Sequence, residues 1–195
     1  FEVQDAGSQK IGEFLDVKPG MRVVDACAGA GGKTLHLAAL MENKGQIIAM
    51  DIHGWKLAEL KRRAKRAGAH NIETREITDN KVIKRLHEKA DRLLIDAPCS
   101  GLGVLKRNPD SKWKIDQDFI DRIRKEQETI LQDYSKIIKK GGKMVYATCS
   151  ILPSENNEQV ENFLKNNPDF KLVKEEKVMP STGFDGFYMA LIERV

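Results

Sequence analysis

Two cysteines give the first chemical signal in this sequence. Cys99 follows Asp96 by three positions, and Cys149 comes directly after Thr148. Each lies at the end of a short apolar run of the kind that forms a buried strand. A thiolate is the reactive form of cysteine, and a nearby cation such as Lys33 lowers its pKa. Both cysteines are therefore candidate nucleophiles, and the alternative is that each is a small apolar filler of the core.

Carboxylates end the other apolar runs. Asp25 closes the first run, Asp51 the second and Asp96 the fourth, and Asp79 follows the third. The carboxyl ends of parallel strands meet at one edge of an α/β sheet, which is where such folds bind ligands. The sequence therefore predicts one site at that edge, containing both the carboxylates and the cysteines.

A glycine-rich turn follows the first run and predicts close approach of a ligand to the backbone. A P-loop is excluded because Cys27 stands where that motif needs its first glycine, and a dinucleotide G-x-G-x-x-G is excluded because Thr34 replaces the third glycine. A plain packing turn remains the alternative. The turn consists of Cys27, Ala28, Gly29, Ala30, Gly31, Gly32 and Lys33.

Asp51 favours a nucleoside ligand for this turn. It lies twenty positions after Gly31, where nucleoside-binding folds place a carboxylate on the ribose hydroxyls. The alternative role for Asp51 is the N-cap of a helix that begins near Gly54, and the two roles are compatible. A nucleoside cofactor without a pyrophosphate fits the turn better than NAD.

The elements that must position these residues alternate between strand and helix patterns. Strands are predicted over residues 21–27, 46–51, 71–77, 92–96, 143–148, 170–174 and 187–193. Helices are predicted over residues 32–42, 55–68, 81–88 and 119–140; Gly141 and Gly142 are expected to end the last, and Ser154 to cap a further helix. This alternation predicts a mostly parallel sheet with helices on both faces and an antiparallel pair at one edge.

Size, charge and cysteine content limit the classes of protein. The 195 residues suffice for a single domain over 1–195, and the net charge of +4 permits a polyanionic partner without requiring one. Three cysteines with no C-x-x-C pair argue against a disulfide framework and a zinc site, and they favour a reducing, cytoplasmic setting. No apolar run approaches the roughly 18 residues of a membrane span.

Six segments resemble the Sun/Fmu-type RNA cytosine-5 methyltransferases over nearly the whole chain. They are residues 3–5, 25–34, 96–101, 107–113, 146–150 and 185–188. The Asp-Ala-Pro-Cys-Ser-Gly and Thr-Cys-Ser segments, in this order, are highly specific. Ala30 departs from the family, which usually has proline there, and this changes the stiffness of the loop more than its chemistry, with a shift in cofactor affinity as the expected consequence. The resemblance implies a Rossmann-like class I methyltransferase fold with seven strands. The start at Phe1 rather than methionine fits a fragment that lacks an RNA-binding part.

The resemblance also implies S-adenosylmethionine as cofactor and an unstacked cytosine of ribosomal or transfer RNA as substrate. We expect no metal, from the cysteine spacing, and take a monomer as the default. The Cys27–Lys33 turn, Asp51, Asp79 and Asp96 would hold the cofactor, with Asp51 on the ribose and Asp79 near the adenine. Cys149 would be the nucleophile, and Cys99 would assist release of the methylated base. Asp96 would bind or protonate the ring nitrogen.

Three other interpretations remain open. DNA cytosine-5 enzymes use a Pro-Cys loop, which would make Cys99 the nucleophile, although they lack the Thr-Cys-Ser segment around Cys149. A catalytically silent RNA-binding assembly factor would keep the fold but would not need Asp96 and both cysteines. A small-molecule or protein methyltransferase ranks lowest, because such enzymes need no paired cysteines at strand ends.

Two basic segments are candidates for RNA contact. Lys106, Arg107 and Lys112 precede Trp113, for which a core position is slightly favoured over a base-stacking role. The second segment is Lys61, Arg62, Arg63, Lys65 and Arg66, and it favours a solvated helix face over an RNA contact.

Overall fold

The computed structural model describes residues 3–195, which contain one seven-stranded sheet. Its strands are β1 Arg22–Asp25, β2 Gln46–Asp51, β3 Ile72–Glu76, β4 Ala90–Asp96, β5 Ile138–Thr148, β6 Phe170–Val178 and β7 Phe187–Arg194. Their order is β3-β2-β1-β4-β5-β7-β6. The first five strands are parallel, and β7 is antiparallel to both β5 and β6. The predicted mostly parallel sheet with an antiparallel edge pair is confirmed.

The strand order reverses at β1, and this reversal indicates where a ligand site is expected. The chain runs outward from β1 through β2 to β3 and then returns to the other side of β1 as β4. Asp25, the last residue of β1, is in register with Ala49 of β2 and Leu94 of β4. Ligands of open α/β sheets bind at such a reversal, beyond the carboxyl ends of the strands.

Helices cover both faces of the sheet, as predicted. They are α1 Ala6–Phe14, α2 Gly32–Leu40, α3 Gly54–Ala67, α4 Asn80–Lys84, α5 Gln117–Tyr134 and α6 Asn157–Asn166. Successive strand residues point to opposite faces. Val23 accordingly packs with Ile11 of α1 and Leu37 of α2, whereas Val24 belongs to the cluster that contains Leu131 of α5. Among residues 3–195, none of the helices combines the length and the apolar character needed to span a membrane.

The predicted end of α5 is wrong. The helix stops at Tyr134, a short 3-10 turn follows, and β5 begins at Ile138. Gly141 and Gly142 lie inside β5, opposite the point where its register with β4 shifts, and Gly141 has a φ of 75°. Ile137 and Ile138 are fully buried. Apolar residues of this kind are equally common in the buried stripe of a helix and in a buried strand. The local pattern therefore predicted a helix that was too long.

The predicted cap of α6 is also wrong, and α1 was not predicted. Ser154 lies in the 3-10 turn Pro153–Glu155, and Asn156 is the residue before the first turn of α6. Asp5 caps α1 by accepting hydrogen bonds from the backbone of the next turn. The signal for α1 was this aspartate, because a carboxylate ahead of an apolar helical stripe is a helix start.

Candidate active site at the carboxyl edge of the sheet

The glycine turn joins β1 to α2 and packs closely against α3. Gly29 and Gly31 have positive φ values of 54° and 90°, which favour glycine. A Cβ atom at Gly31 would lie 2.5 Å from Leu60 of α3. A side chain at position 31 would therefore force the turn away from the helix.

Asp51 fixes the turn from the end of β2. Its Oδ2 accepts a hydrogen bond from the Gly29 backbone N–H at 2.9 Å, and its Oδ1 accepts one from the His53 N–H at 2.8 Å. The N-cap residue of α3 is His53 rather than Asp51. Each carboxylate oxygen retains a lone pair after these bonds, so Asp51 can still accept from a ligand hydroxyl.

A cavity of about 320 Å³ opens between the turn, β2, β4 and α5. Its apolar lining residues include Ile52, Ile77 and Ile130, and its acidic lining residues include Asp51 and Asp96. Its lining residues are Ala26, Cys27, Gly29, Asp51, Ile52, His53, Lys56, Ile77, Asp96, Pro98, Glu126, Ile130 and Tyr134. Aliphatic walls with a carboxylate at one end suit the heterocycle and sugar of a nucleoside.

Asp79 is not among the residues that line this cavity. It is exposed and caps α4 by accepting a hydrogen bond from the Lys81 backbone N–H at 2.7 Å. Ile77, two residues earlier, is the member of this segment that reaches the cavity.

The two strand-end cysteines contact each other. The Sγ atoms of Cys99 and Cys149 are 3.2 Å apart, within range of a thiol–thiolate hydrogen bond. That bond lowers the pKa of Cys149 below its ordinary value, with help from Lys33 and against desolvation and Asp96. The same bond, together with burial, raises the pKa of Cys99 well above its ordinary value. Cys149 is therefore the more acidic thiol of the pair, and Cys99 is the thiol placed to donate a hydrogen bond to its thiolate.

Lys33 and Asp96 form an ion pair beside the cysteines. Their Nζ and Oδ2 atoms are 2.7 Å apart, and both side chains are largely buried. Burial lowers the pKa of Lys33, but the charge and hydrogen bond of Asp96 outweigh it and raise the pKa overall. Both charges act on the Cys149 thiol: Asp96 raises its pKa and Lys33 lowers it.

Cys27 retains its proton, and helix α1 contributes a residue to the carboxyl edge of the sheet. Burial, with nearby carboxylates such as Asp25, raises the pKa of Cys27 well above its ordinary value, so Cys27 is a thiol rather than a nucleophile. Helix α1, which the sequence pattern missed, contributes Ser8 to a second cavity of about 260 Å³ that Lys33 and Asp96 also line.

Asp25 is a buried carboxylate beneath this site. It is 1% exposed, and its Oδ2 accepts a hydrogen bond from the Thr34 hydroxyl at 2.7 Å. Its Oδ1 has no hydrogen-bond partner among the described residues. Burial raises the pKa of Asp25 from 3.8 to about 7, against the opposing effect of Thr34.

Asp25→Asn is expected to stabilise the fold increasingly as pH rises. Folded Asp25 holds its proton more tightly than unfolded Asp25, so its contribution to the unfolding free energy falls as pH rises from 3.8 to about 7. The asparagine of the variant does not titrate, and its advantage should grow to at most about 4 kcal/mol above pH 7. Urea unfolding at pH 4.5 and 7.5 measures this difference. An equal effect at both pH values, matching that of the exposed control Asp110→Asn, would show that burial does not raise the pKa of Asp25.

The basic segments lie on the surface. Trp113 is 80% exposed, so the favoured core position is wrong; Lys112 Nζ lies 4.9 Å from its ring centroid. The solvated-face interpretation fits most of the α3 run, whose members Lys61, Arg62, Lys65 and Arg66 are exposed. Arg63 differs, because its guanidinium donates to the Ala30 carbonyl of the glycine turn at 2.7 Å.

Known proteins are similar to this chain in both sequence and fold. Residues 13–192 match the family model described as 16S rRNA methyltransferase RsmB/F. The "Probable ribosomal RNA small subunit methyltransferase B" of Synechocystis sp. is 41% identical over 87% of this chain and 38% of its own length. The crystal structure of PH0851 superposes with a TM-score of 0.95 at 35% identity, covering 99% of this chain and 47% of that one.

A further solved structure is the NSun6 protein from Pyrococcus horikoshii with SFG. It has a TM-score of 0.88 and 29% identity, and it covers 98% of this chain and 52% of that one. This chain therefore spans about half of these structures and 38% of the Synechocystis protein. Because the family model covers most of its residues, this chain belongs to the RsmB/F family of 16S rRNA methyltransferases.

Proposed function

We propose that this chain forms the catalytic part of an enzyme that methylates carbon 5 of a cytosine in ribosomal RNA, with S-adenosylmethionine as methyl donor. The observation that carries the proposal is the 3.2 Å contact between Cys99 and Cys149 beside the Lys33–Asp96 ion pair. Family membership supports RNA as the substrate class and methyl transfer as the reaction class. The paired cysteines support a covalent route to carbon 5.

The cavity beside the glycine turn fits the cofactor. Asp51 would accept hydrogen bonds from the ribose, Ile52 and Ile77 would enclose the adenine, and the Gly29 segment would lie against the amino-acid part. When bound, S-adenosylmethionine supplies an electrophilic methyl group for carbon 5. Asp96 lines this cavity, and its charge also acts on the Cys149 thiol, so Asp96 would connect the cofactor with the nucleophile.

Cys149 begins the reaction on the base. Its thiolate adds to carbon 6 of cytosine, the 5,6 double bond opens, and carbon 5 becomes nucleophilic. Negative charge then develops on the ring, where Asp96 binds or protonates the ring nitrogen and Lys33 supplies a fixed positive charge. The base must leave its stack to reach the sulfur, so unstacked RNA is the expected substrate.

Cys99 completes the reaction. The main cause of its raised pKa is the hydrogen bond to Cys149. That cause disappears when the Cys149 sulfur is bonded to carbon 6, which lowers the pKa of Cys99 during the covalent stage. Cys99 can then assist removal of the carbon-5 proton, and Cys149 leaves as the thiolate. The same order of pKa values opposes the alternative in which Cys99 attacks.

Product analysis tests this function. The protein is incubated with methyl-labelled S-adenosylmethionine and either small-subunit ribosomal RNA or transfer RNA, and digested nucleosides are identified by mass spectrometry. We expect label in 5-methylcytidine from ribosomal RNA and none with the Cys149→Ala variant. Label in another nucleoside, or cofactor binding without transfer to any RNA by the full-length protein, would contradict the proposal and favour a silent assembly factor.

Asp51→Ala is expected to weaken cofactor binding by about 30-fold, because the turn loses its hydrogen bond from Gly29, the start of α3 loses the one from His53, and the ribose loses its acceptor. Calorimetric titration of S-adenosylmethionine measures the Kd. Asp79→Ala serves as the matched control and is expected to change the Kd less than about threefold, because a helix-cap loss on an exposed carboxylate is local. Equal weakening by both variants would instead support the adenine role that the resemblance implied for Asp79.

Trp113→Ala is expected to raise the KM for RNA about tenfold, because an exposed indole offers a stacking surface for one base. The position of Trp113 after the Cys99 loop and the cation above its ring support this role. Trp113→Phe retains an aromatic face and should recover most of the affinity. An unchanged KM for RNA in steady-state kinetics of Trp113→Ala would show that Trp113 does not contribute to RNA binding.

A further inference from the structure

Glu155 is a fully buried carboxylate that the proposed mechanism does not use. It has 0% exposure and ends the 3-10 turn Pro153–Glu155, after β5. Removing a carboxylate from water is expensive unless hydrogen bonds replace its hydration. The contacts that compensate Glu155 therefore indicate what the residue does.

The two carboxylate oxygens of Glu155 bind the two cysteine loops. Oε2 accepts a hydrogen bond from the Ser100 backbone N–H at 2.8 Å, and Oε1 accepts one from the Ser150 hydroxyl at 3.1 Å. Ser100 directly follows Cys99, and Ser150 directly follows Cys149. The two serine hydroxyls are themselves 3.1 Å apart. One side chain thus holds both loops at the same position relative to their sulfurs.

Two buried amides extend this arrangement to the other side of each cysteine. Gln127 donates to Glu155 Oε2 at 3.2 Å and to the Pro98 carbonyl at 2.9 Å. Asn156 accepts from the Thr148 hydroxyl at 2.5 Å and donates to the Ser150 carbonyl at 3.0 Å. The backbone is thereby held both before and after each sulfur. The whole arrangement is a buried polar network, in which loss of one member leaves its partners unsatisfied.

We propose that Glu155 is a positioning residue for the methyl transfer, which holds the Cys99 and Cys149 loops so that their sulfur atoms stay in contact. The inference rests on the proposed function. Catalytic groups must be held within about 0.5 Å of their working geometry by such supporting hydrogen bonds. A separation of the sulfurs by about 1 Å more would break their hydrogen bond, since such bonds weaken steeply with distance.

Two substitutions distinguish positioning from charge. Glu155→Ala removes both acceptors. Glu155→Gln keeps an oxygen for the Ser100 N–H and offers an amide N–H to the Ser150 hydroxyl, which can accept it. The matched control is Gln159→Ala. Gln159 is buried and donates to the backbone of Arg124 and Ser154, so it ties α6 to α5 without touching either cysteine loop.

The readout is the pH dependence of Cys149 alkylation by iodoacetamide, followed by peptide mass spectrometry, with unfolding measured in parallel. In Glu155→Ala we expect alkylation of Cys149 at pH 7 to slow by roughly tenfold and its apparent pKa to rise, because a displaced Cys99 no longer stabilises the thiolate. Glu155→Gln should remain within about threefold of the wild type, and Gln159→Ala should match it, since neither loop moves. Methyl transfer should follow the same order.

An unchanged alkylation profile in folded Glu155→Ala would overturn the inference. An equal slowing of Cys149 alkylation in Glu155→Gln and Glu155→Ala would also overturn it, because the charge of Glu155 rather than its positioning of the loops would then matter. If Glu155→Ala does not fold, Ser150→Ala removes one arm of the arrangement, and a pH profile identical to the wild type would be decisive against it. Alkylation needs neither RNA nor cofactor, so an absence of methyl transfer would contradict only the proposed function.

Discussion

Cys149→Ala is expected to abolish both the covalent protein–RNA adduct and methyl transfer, a loss of about ten-thousand-fold or more. Without the sulfur that adds to carbon 6, carbon 5 remains a poor nucleophile. The fold should persist, because Cys149 is only partly buried. Denaturing gel analysis of the protein with RNA and S-adenosylmethionine, beside single-turnover kinetics, measures both quantities.

Cys99→Ala provides the matched comparison and is expected to act in the opposite way on the adduct. Attack by Cys149 still occurs, but release loses its assisting group, so the adduct should accumulate while turnover slows. An adduct in Cys149→Ala and none in Cys99→Ala would reverse the two roles. That result would also contradict the order of the two thiol pKa values, in which Cys149 is the more acidic.

Asp96→Asn has the second-largest expected effect, a decrease in methyl transfer of about a hundredfold to a thousandfold. The variant removes the carboxyl group that is proposed to act on the ring nitrogen, and it removes the negative charge that is paired with Lys33 at 2.7 Å. The same change should lower the pKa of Cys149, because the Asp96 charge raises it in the wild type. Slower transfer with a more acidic Cys149 is therefore the signature of a role on the base.

Single-turnover rates and alkylation profiles separate the outcomes for Asp96→Asn. Asp79→Asn is the control, since Asp79 is exposed and caps α4. If Asp96→Asn slowed transfer only by weakening cofactor binding, saturating S-adenosylmethionine would restore the rate. That restoration would contradict the role on the ring nitrogen and leave Asp96 as a cofactor ligand alone.

The sheet and the meeting of its strand ends were predictable because their signals are local. Apolar runs such as residues 46–51 and 92–96 end in Asp51 and Asp96, and parallel strands bring their carboxyl ends to one edge. From that rule alone, Cys99 and Cys149 were expected at one site, and the structure places their sulfurs in contact. Their separate roles came from the family resemblance, not from the strand pattern.

Glu155 was not predictable, because everything that defines it is distant in sequence. Because it directly follows Ser154, the predicted helix cap, local pattern placed it in the first turn of that helix. Its partners Ser100 and Gln127 lie 55 and 28 positions away, and only the assembled sheet brings them together. The core position favoured for Trp113 was wrong for the converse reason: its size suggested burial, but the 3-10 turn Pro109–Trp113 contains no buried residue, and Trp113 is 80% exposed.

Locating the bond between protein and RNA tests the proposed covalent mechanism most directly. Cys99→Ala is incubated with ribosomal RNA and S-adenosylmethionine, the trapped complex is digested with nuclease and protease, and the cross-linked peptide is sequenced by mass spectrometry. We expect a methylated cytidine attached to the peptide that contains Cys149. A nucleotide attached to any other residue, or a complex with no covalent bond, would contradict this mechanism.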